Sequence, residues 1–149
     1  MTSEDSREAT VAKEKNVETP LVSIVDDDVS VRRSTRRLLR SAGFGAEAFA
    51  SAEEFLMSGL AERTACVVLD LRMPGMNGLQ LQQHLAETSN RASIVFLTAR
   101  MSGFSEDEKR RALKTGAVQL LQKPVSKEVL LLAVRNALKT WANDERRTS

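Results

Sequence analysis

The sequence predicts an α/β domain built on a parallel sheet with helices on both faces. Three observations predict it. Strand-like and helix-like segments alternate five times between residues 21 and 141. One segment, Ala65–Leu69, is a continuous apolar run, the pattern of a central parallel strand buried on both faces. Four strand ends carry chemically able polar groups, namely Asp26 with Asp27, Asp70, Thr98 and Lys123. In an open parallel sheet the carboxyl ends of the strands share one edge, where ligands bind.

Each element has a local reason. Leu21–Val25 is a short apolar strand that stops at Asp26, Asp27 and Asp28. Val29–Ser41 reads as a helix with Val31, Thr35, Leu38, Leu39 and Ala42 on one side, closed by Gly43. Ala46–Ala50 is a weaker strand, and Ser51-Ala-Glu-Glu54 spells a capping box ahead of Phe55 and Leu56. Ala65–Leu69 ends in Asp70, and the turn-rich stretch Met73-Pro74-Gly75-Met76-Asn77-Gly78 follows. Leu79–Glu87 is helical, Ile94–Leu97 is the fourth strand, and Glu106–Lys114 is a charged helix. Val118–Leu121 is the fifth strand, running into Gln122, Lys123 and Pro124. Ser126 can cap a last helix through about Trp141, with Val129, Leu130, Ala133, Val134, Ala137 and Leu138 as its apolar residues. The expected organisation is a disordered tail over 1–20, one domain over 21–141 and a short tail over 142–149.

Composition bounds the function. A chain of 149 residues with 42% hydrophobic and 28% charged residues suits one globular domain that needs no disulfide or structural metal. The tail over 1–20 holds five acids and three bases, leaving 19 bases against 15 acids for the rest, too mild an excess to argue for nucleic acid. The single cysteine, Cys66, excludes an internal disulfide and reads as a buried thiol. No signal-peptide core opens the chain, and no apolar stretch approaches the roughly 20 residues that span a bilayer. The expected address is the cytoplasm. Five arginines (Arg32, Arg33, Arg36, Arg37 and Arg40) make the first helix basic, either as a solvated face or as a docking surface. His84 reads as a surface residue and Trp141 as a packing residue.

The residues gathered at the sheet edge point to phosphoryl transfer. Three carboxylates repel one another and call for a hard cation, for which oxygen ligands favour Mg²⁺, with Mn²⁺ as the alternative. A carboxylate can itself attack phosphorus and form an acyl phosphate. A cation, Lys123 and the Thr98 hydroxyl would then each neutralise or hydrogen-bond one phosphoryl oxygen. Taken singly, an Asp at a strand end is usually a helix cap, and Lys-Pro is usually a loop. Their joint appearance at the ends of separate strands is the signal.

Val25-Asp26-Asp27-Asp28, Val68-Leu69-Asp70-Leu71-Arg72-Met73-Pro74-Gly75-Met76-Asn77-Gly78, Phe96-Leu97-Thr98-Ala99, Gly116-Ala117 and Lys123-Pro124 together resemble a response-regulator receiver domain of two-component signalling. The resemblance covers about residues 21–140 and is nearest to receivers of nitrogen-fixation-type (LuxR-type) regulators. It implies a flavodoxin-like three-layer sandwich of five βα units with sheet order 2-1-3-4-5. It implies Asp70 as phosphoacceptor, Asp26 and Asp27 as the acidic pair for Mg²⁺, and the Arg72 backbone carbonyl as a third protein ligand. It further implies Thr98 as the switch hydroxyl, Lys123 as the phosphate-facing lysine and a cis Lys123–Pro124 bond. Gly75 and Gly78 fit the tight loop, Ala99 leaves the acceptor reachable, and Arg72 and Arg100 flank the pocket.

The implied partners are a histidine kinase or histidine phosphotransfer domain as donor. A protein target or homodimer would read the fourth helix, fifth strand and fifth helix; no membrane and no direct nucleic-acid contact are expected. Two departures stand out. The aromatic commonly found three places before the lysine is Leu120, and Met101–Asp107 looks like an extended loop. A phosphorylation-independent interaction module is the rival reading. An Asp-x-Asp phosphatase is disfavoured because its second acid would fall at Arg72. No output domain is expected in the few residues after Trp141, which fits a stand-alone receiver or a piece of a transcription regulator.

Overall fold

The structure, a computed structural model, describes residues 20–99, 105–115 and 117–144. The expectations for the tail before Pro20, for Arg100, for most of the 101–107 loop, for Gly116 and for the last five residues lie outside that set. The elements run β1 (Leu21–Val25), α1 (Val29–Ser41), β2 (Gly45–Phe49), α2 (Ala52–Met57), β3 (Thr64–Leu69), α3 (Gly78–Glu87), β4 (Ser93–Thr98), α4 (Glu106–Lys114), β5 (Ala117–Gln122) and α5 (Lys127–Ala142). A 3₁₀ turn, Ala61–Arg63, precedes β3. All strand pairs are parallel, and the sheet order is β2-β1-β3-β4-β5. The flavodoxin-like order implied by the resemblance is therefore the order observed.

The period-2 alternation of the central strands divides the core in two. Val25, Val67, Leu69, Ile94 and Phe96 face a cluster with Phe55, Leu81 and Leu85, under α2, α3 and α4. Val22, Ile24, Cys66, Val68, Val95 and Leu97 face the other way, against Leu39 of α1 and Leu130, Ala133, Val134 and Ala137 of α5. β3 lies between β1 and β4 and is buried throughout, as its unbroken apolar run predicts. Cys66 is fully buried there, and burial pushes its thiol up to about 12.

Caps fix where the helices start. The side chains of Asp28, Ser51, Asn77, Ser105 and Ser126 each accept from backbone N–H groups of the first turn. Asn77 with Gln80 and Ser105 with Glu108 form complete capping boxes. The box expected at Ser51 is half formed. Ser51 Oγ accepts from the Glu54 N–H at 3.0 Å, but the Glu54 carboxylate reaches the N–H of Ala50 rather than that of Ser51.

Element bounds otherwise differ from expectation by a residue or so. β2 is shifted by one residue and begins at Gly45, which pairs with Leu21 of β1, and β4 and β5 each extend one residue further at both ends. Gln82 of α3, for which the sequence suggests no partner, is buried and donates to the Ala112 carbonyl at 2.8 Å, tying α3 to the end of α4. None of the described helices is long and apolar enough to cross a membrane.

Candidate functional site

Strand register brings the site together. Val25 pairs with Leu69, so Asp26 and Asp70 are level, each one residue past its strand. Leu69 pairs with Phe96, and Thr98 with Gln122, which puts Thr98 and Lys123 at the same edge. The ladder continues one step beyond the strands. The Asp70 N–H donates to the Val25 carbonyl at 3.0 Å, the Asp26 N–H to Phe49 at 3.1 Å, and the Lys123 N–H to Thr98 at 2.7 Å. The sheet's hydrogen bonding therefore reaches the backbone of Asp26, Asp70 and Lys123, one residue beyond the strands.

Carboxylate oxygens of Asp26, Asp27 and Asp70 lie within 4.8 Å of one another. Asp26 and Asp70 are buried and Asp27 is exposed. Lys123 Nζ sits 2.9 Å from Asp26 Oδ2 and 3.7 Å from Asp70 Oδ2. Asp26 Oδ1 also accepts from the Asp28 N–H at 2.9 Å. Thr98 is 1% exposed at the end of β4. The peptide bond between Lys123 and Pro124 is cis, as the resemblance implied.

The electrostatics follow from this packing. Burial, with the Asp26 charge and then the Asp27 charge, pushes Asp70 up to about 7; Lys123 and the Arg72 backbone N–H, which bonds the carboxylate, pull the other way. Burial works against the Lys123 ammonium. The Asp26 bond and the charges of Asp26, Asp70 and Asp28 outweigh it and raise Lys123 above the ordinary lysine value. Three acids facing one ammonium leave an excess of negative charge in a half-dry pocket, with all donors oxygen. That donor set fits a hard divalent cation.

The loop leaving Asp70 is folded back closely. Leu71 and Met73 are buried, Arg72 between them is exposed, and the Gly78 N–H donates to the Leu71 carbonyl at 2.9 Å. A Cβ on Gly78 would lie 2.4 Å from the Asp70 carbonyl oxygen and 3.0 Å from Leu71 Cα, so only glycine lets α3 start this near β3. Gly75 turns at φ +74°.

The chain matches the family model of the response regulator receiver domain over residues 22–135. It belongs to that family. Among relatives of this receiver, nodulation protein W of Bradyrhizobium diazoefficiens is 43% identical over 115 residues, 76% of this chain and 49% of that protein. The transcriptional regulatory protein TdiR of Thauera aromatica is 42% identical over 118 residues, 78% of this chain and 50% of that protein. The chain thus spans about half the length of the curated relatives it matches. Among solved structures, the response regulator StyR aligns with TM-score 0.77 and 44% identity over 87% of this chain and 63% of that one. A CheY-like receiver of Methanospirillum hungatei, at 24% identity and TM-score 0.74 over 84% of this chain and 98% of that one, shares the fold.

Other residues singled out from sequence fall into place around the receiver's edge. Arg32 Nη1 donates to the Asp26 carbonyl at 2.8 Å, and Arg36 and Arg40 meet Glu47 of β2 at 3.7 and 3.1 Å. With Arg33 and Arg37 they line a groove of about 540 Å³ between α1 and β2. A second, more apolar groove of about 770 Å³ runs from Val31 and Leu38 of α1 to Lys123, Pro124 and Leu130. His84 and Trp141 are half-buried. One residue near the site escaped the sequence reading. Glu53 of α2 accepts from the Met76 N–H at 2.9 Å, a contact across 23 positions that no local pattern signals.

Proposed function

We propose that this receiver is a phosphorylation-driven switch in which Asp70 accepts a phosphoryl group from a phosphohistidine on a histidine kinase or phosphotransfer domain. The convergence of Asp26, Asp27 and Asp70 with Lys123 at one sheet edge carries the reading. A deprotonated Asp70 oxygen attacks phosphorus, the P–N bond to imidazole breaks, and an acyl phosphate remains. The nucleophile must be ionised, and a carboxyl at about 7 is only half ionised at neutral pH. Asp26 and Asp27, with Asp70 and the Arg72 backbone carbonyl, would hold Mg²⁺ (or Mn²⁺), which supplies positive charge to ionise Asp70 and to offset the phosphoryl oxygens.

Lys123, already held by Asp26 beside Asp70, neutralises a second phosphoryl oxygen. Thr98 donates its hydroxyl to a third, and its movement shifts the packing of α4, β5 and α5. Leu113 on α4 and Leu132 on α5 are about half exposed, at 51% and 58%, apolar surface suited to a protein target or a second copy. Leu120, half-buried against the core, stands where an aromatic is common, so that shift proceeds without an aromatic rotamer switch. The unit that does this spans residues 21–141, and the same carboxylate site returns the phosphoryl group to water.

Mass spectrometry after acetyl phosphate treatment tests the proposal. We expect a gain of one phosphoryl group with Mg²⁺, none with chelator, and none in Asp70→Asn. If neither acetyl phosphate nor a phosphorylated cognate kinase labels the protein, the switch reading fails in favour of a phosphorylation-independent interaction module.

A further inference from the structure

Glu53 sits in the first turn of α2, where an acid ordinarily serves the helix N-terminus. Its side chain does more. Oε2 accepts from the Met76 N–H at 2.9 Å, and a Cβ on Gly75 would lie 2.9 Å from the same oxygen. The glycine at φ +74° is therefore what lets the carboxylate reach the turn. The Met76 bond is the first cause of a Glu53 carboxyl held below its usual value.

The segment so held is the one that leaves Asp70. Its start is anchored by buried Leu71 and Met73, and its end by the Gly78 N–H on the Leu71 carbonyl and by the Asn77 cap. The apex, Pro74 and Gly75, is exposed and has no such anchor in the core. Arg72, whose backbone N–H bonds the Asp70 carboxylate, lies between the two buried residues Leu71 and Met73, two positions before that apex. Resting on the reading of Asp70 and its cation given above, we infer that Glu53 is a positioning residue, a latch from α2 that fixes the Arg72 backbone against Asp70. It touches neither phosphoryl group nor metal and acts only through the Gly75–Met76 peptide.

The test compares wild type, Glu53→Ala and Glu53→Gln in the full chain. Three readouts are taken: Mg²⁺ affinity by calorimetry, hydrogen exchange of the Met76 amide, and the unfolding midpoint. Supporting groups behind metal ligands commonly cost tenfold or more in affinity when removed. Glu53→Ala is expected to weaken Mg²⁺ binding by about tenfold, to speed Met76 exchange, and to leave the midpoint nearly unchanged. Glu53→Gln, whose amide oxygen accepts the same bond, is expected to recover most of both losses. An Mg²⁺ affinity in Glu53→Ala within twofold of wild type overturns the latch, and so does a Gln variant as impaired as the Ala one. A wild type that binds no Mg²⁺ and takes no phosphoryl group overturns the reading of the site itself, and the latch with it.

Discussion

Asp26 is 2% exposed, and its charge is tolerable because Lys123 stands 2.9 Å away and the Asp28 N–H donates to its other oxygen. Replacing Lys123 with methionine keeps the stem and removes the ammonium. Without divalent cation, that leaves a buried carboxylate beside Asp70 and is expected to cost about 3 kcal/mol, read as a fall in urea midpoint. Mg²⁺ should restore part of the loss. Asp70 titrates in a readable window. Its folded value of about 7 lies above the roughly 4 of an unfolded aspartate, so the folded protein holds a proton that the unfolded chain releases. Stability without cation therefore falls as pH rises from about 4 to about 7 and levels above that. Urea midpoints at pH 5.5 and 8 should show this fall in wild type, and a smaller one with Mg²⁺ or in Asp70→Asn. At this scale the strand-end residues were legible because residue type and order along the chain are sequence properties. The Glu53 contact was not, because nothing in residues 51–54 signals a partner 23 positions on.

Among the elements, the β3–α3 junction is the tightest. Gly78→Ala would drive a methyl into the Asp70 carbonyl and Leu71 Cα, both backbone, so the neighbours cannot simply rotate away. A loss of about 1–3 kcal/mol or more is expected in a thermal or urea melt, with weakened Mg²⁺ binding as α3 is displaced from Asp70. Asn77→Ala opens the capping box at the same helix and should cost about 1 kcal/mol without moving the backbone. Helices were legible from their caps and apolar spacing, and strands from their apolar runs. The half-formed box at Ser51 was not, since the choice of Glu54 between two adjacent N–H groups depends on how β2 enters α2. The burial of Gln82 was equally hidden. A glutamine on a polar helix becomes interior only when the end of α4 supplies a carbonyl to receive it.

At the scale of the molecule, the five-stranded sheet of the described residues separates two apolar clusters, and its central strands contribute to both. Phe55→Ala on one face and Leu130→Ala on the other, each expected to cost about 2–5 kcal/mol, should therefore lower one shared unfolding transition and not split it in two. Coincident circular dichroism and fluorescence melts would show this, with Trp141 on α5 as the emitter. The sheet order followed from family resemblance and not from the residues alone, because alternation of strands and helices fixes a parallel sheet but leaves its sequence of neighbours open. Cys66 gives this cooperativity a clock. Its sulfur is sealed between the central strand and the helices α1 and α5, so an alkylating reagent can react only during the intervals when that layer opens. With one thiol in the chain, a single mass increment counts those openings. The labelling rate then compares how firmly that layer is shut in protein with and without acetyl phosphate treatment, with no probe attached beforehand.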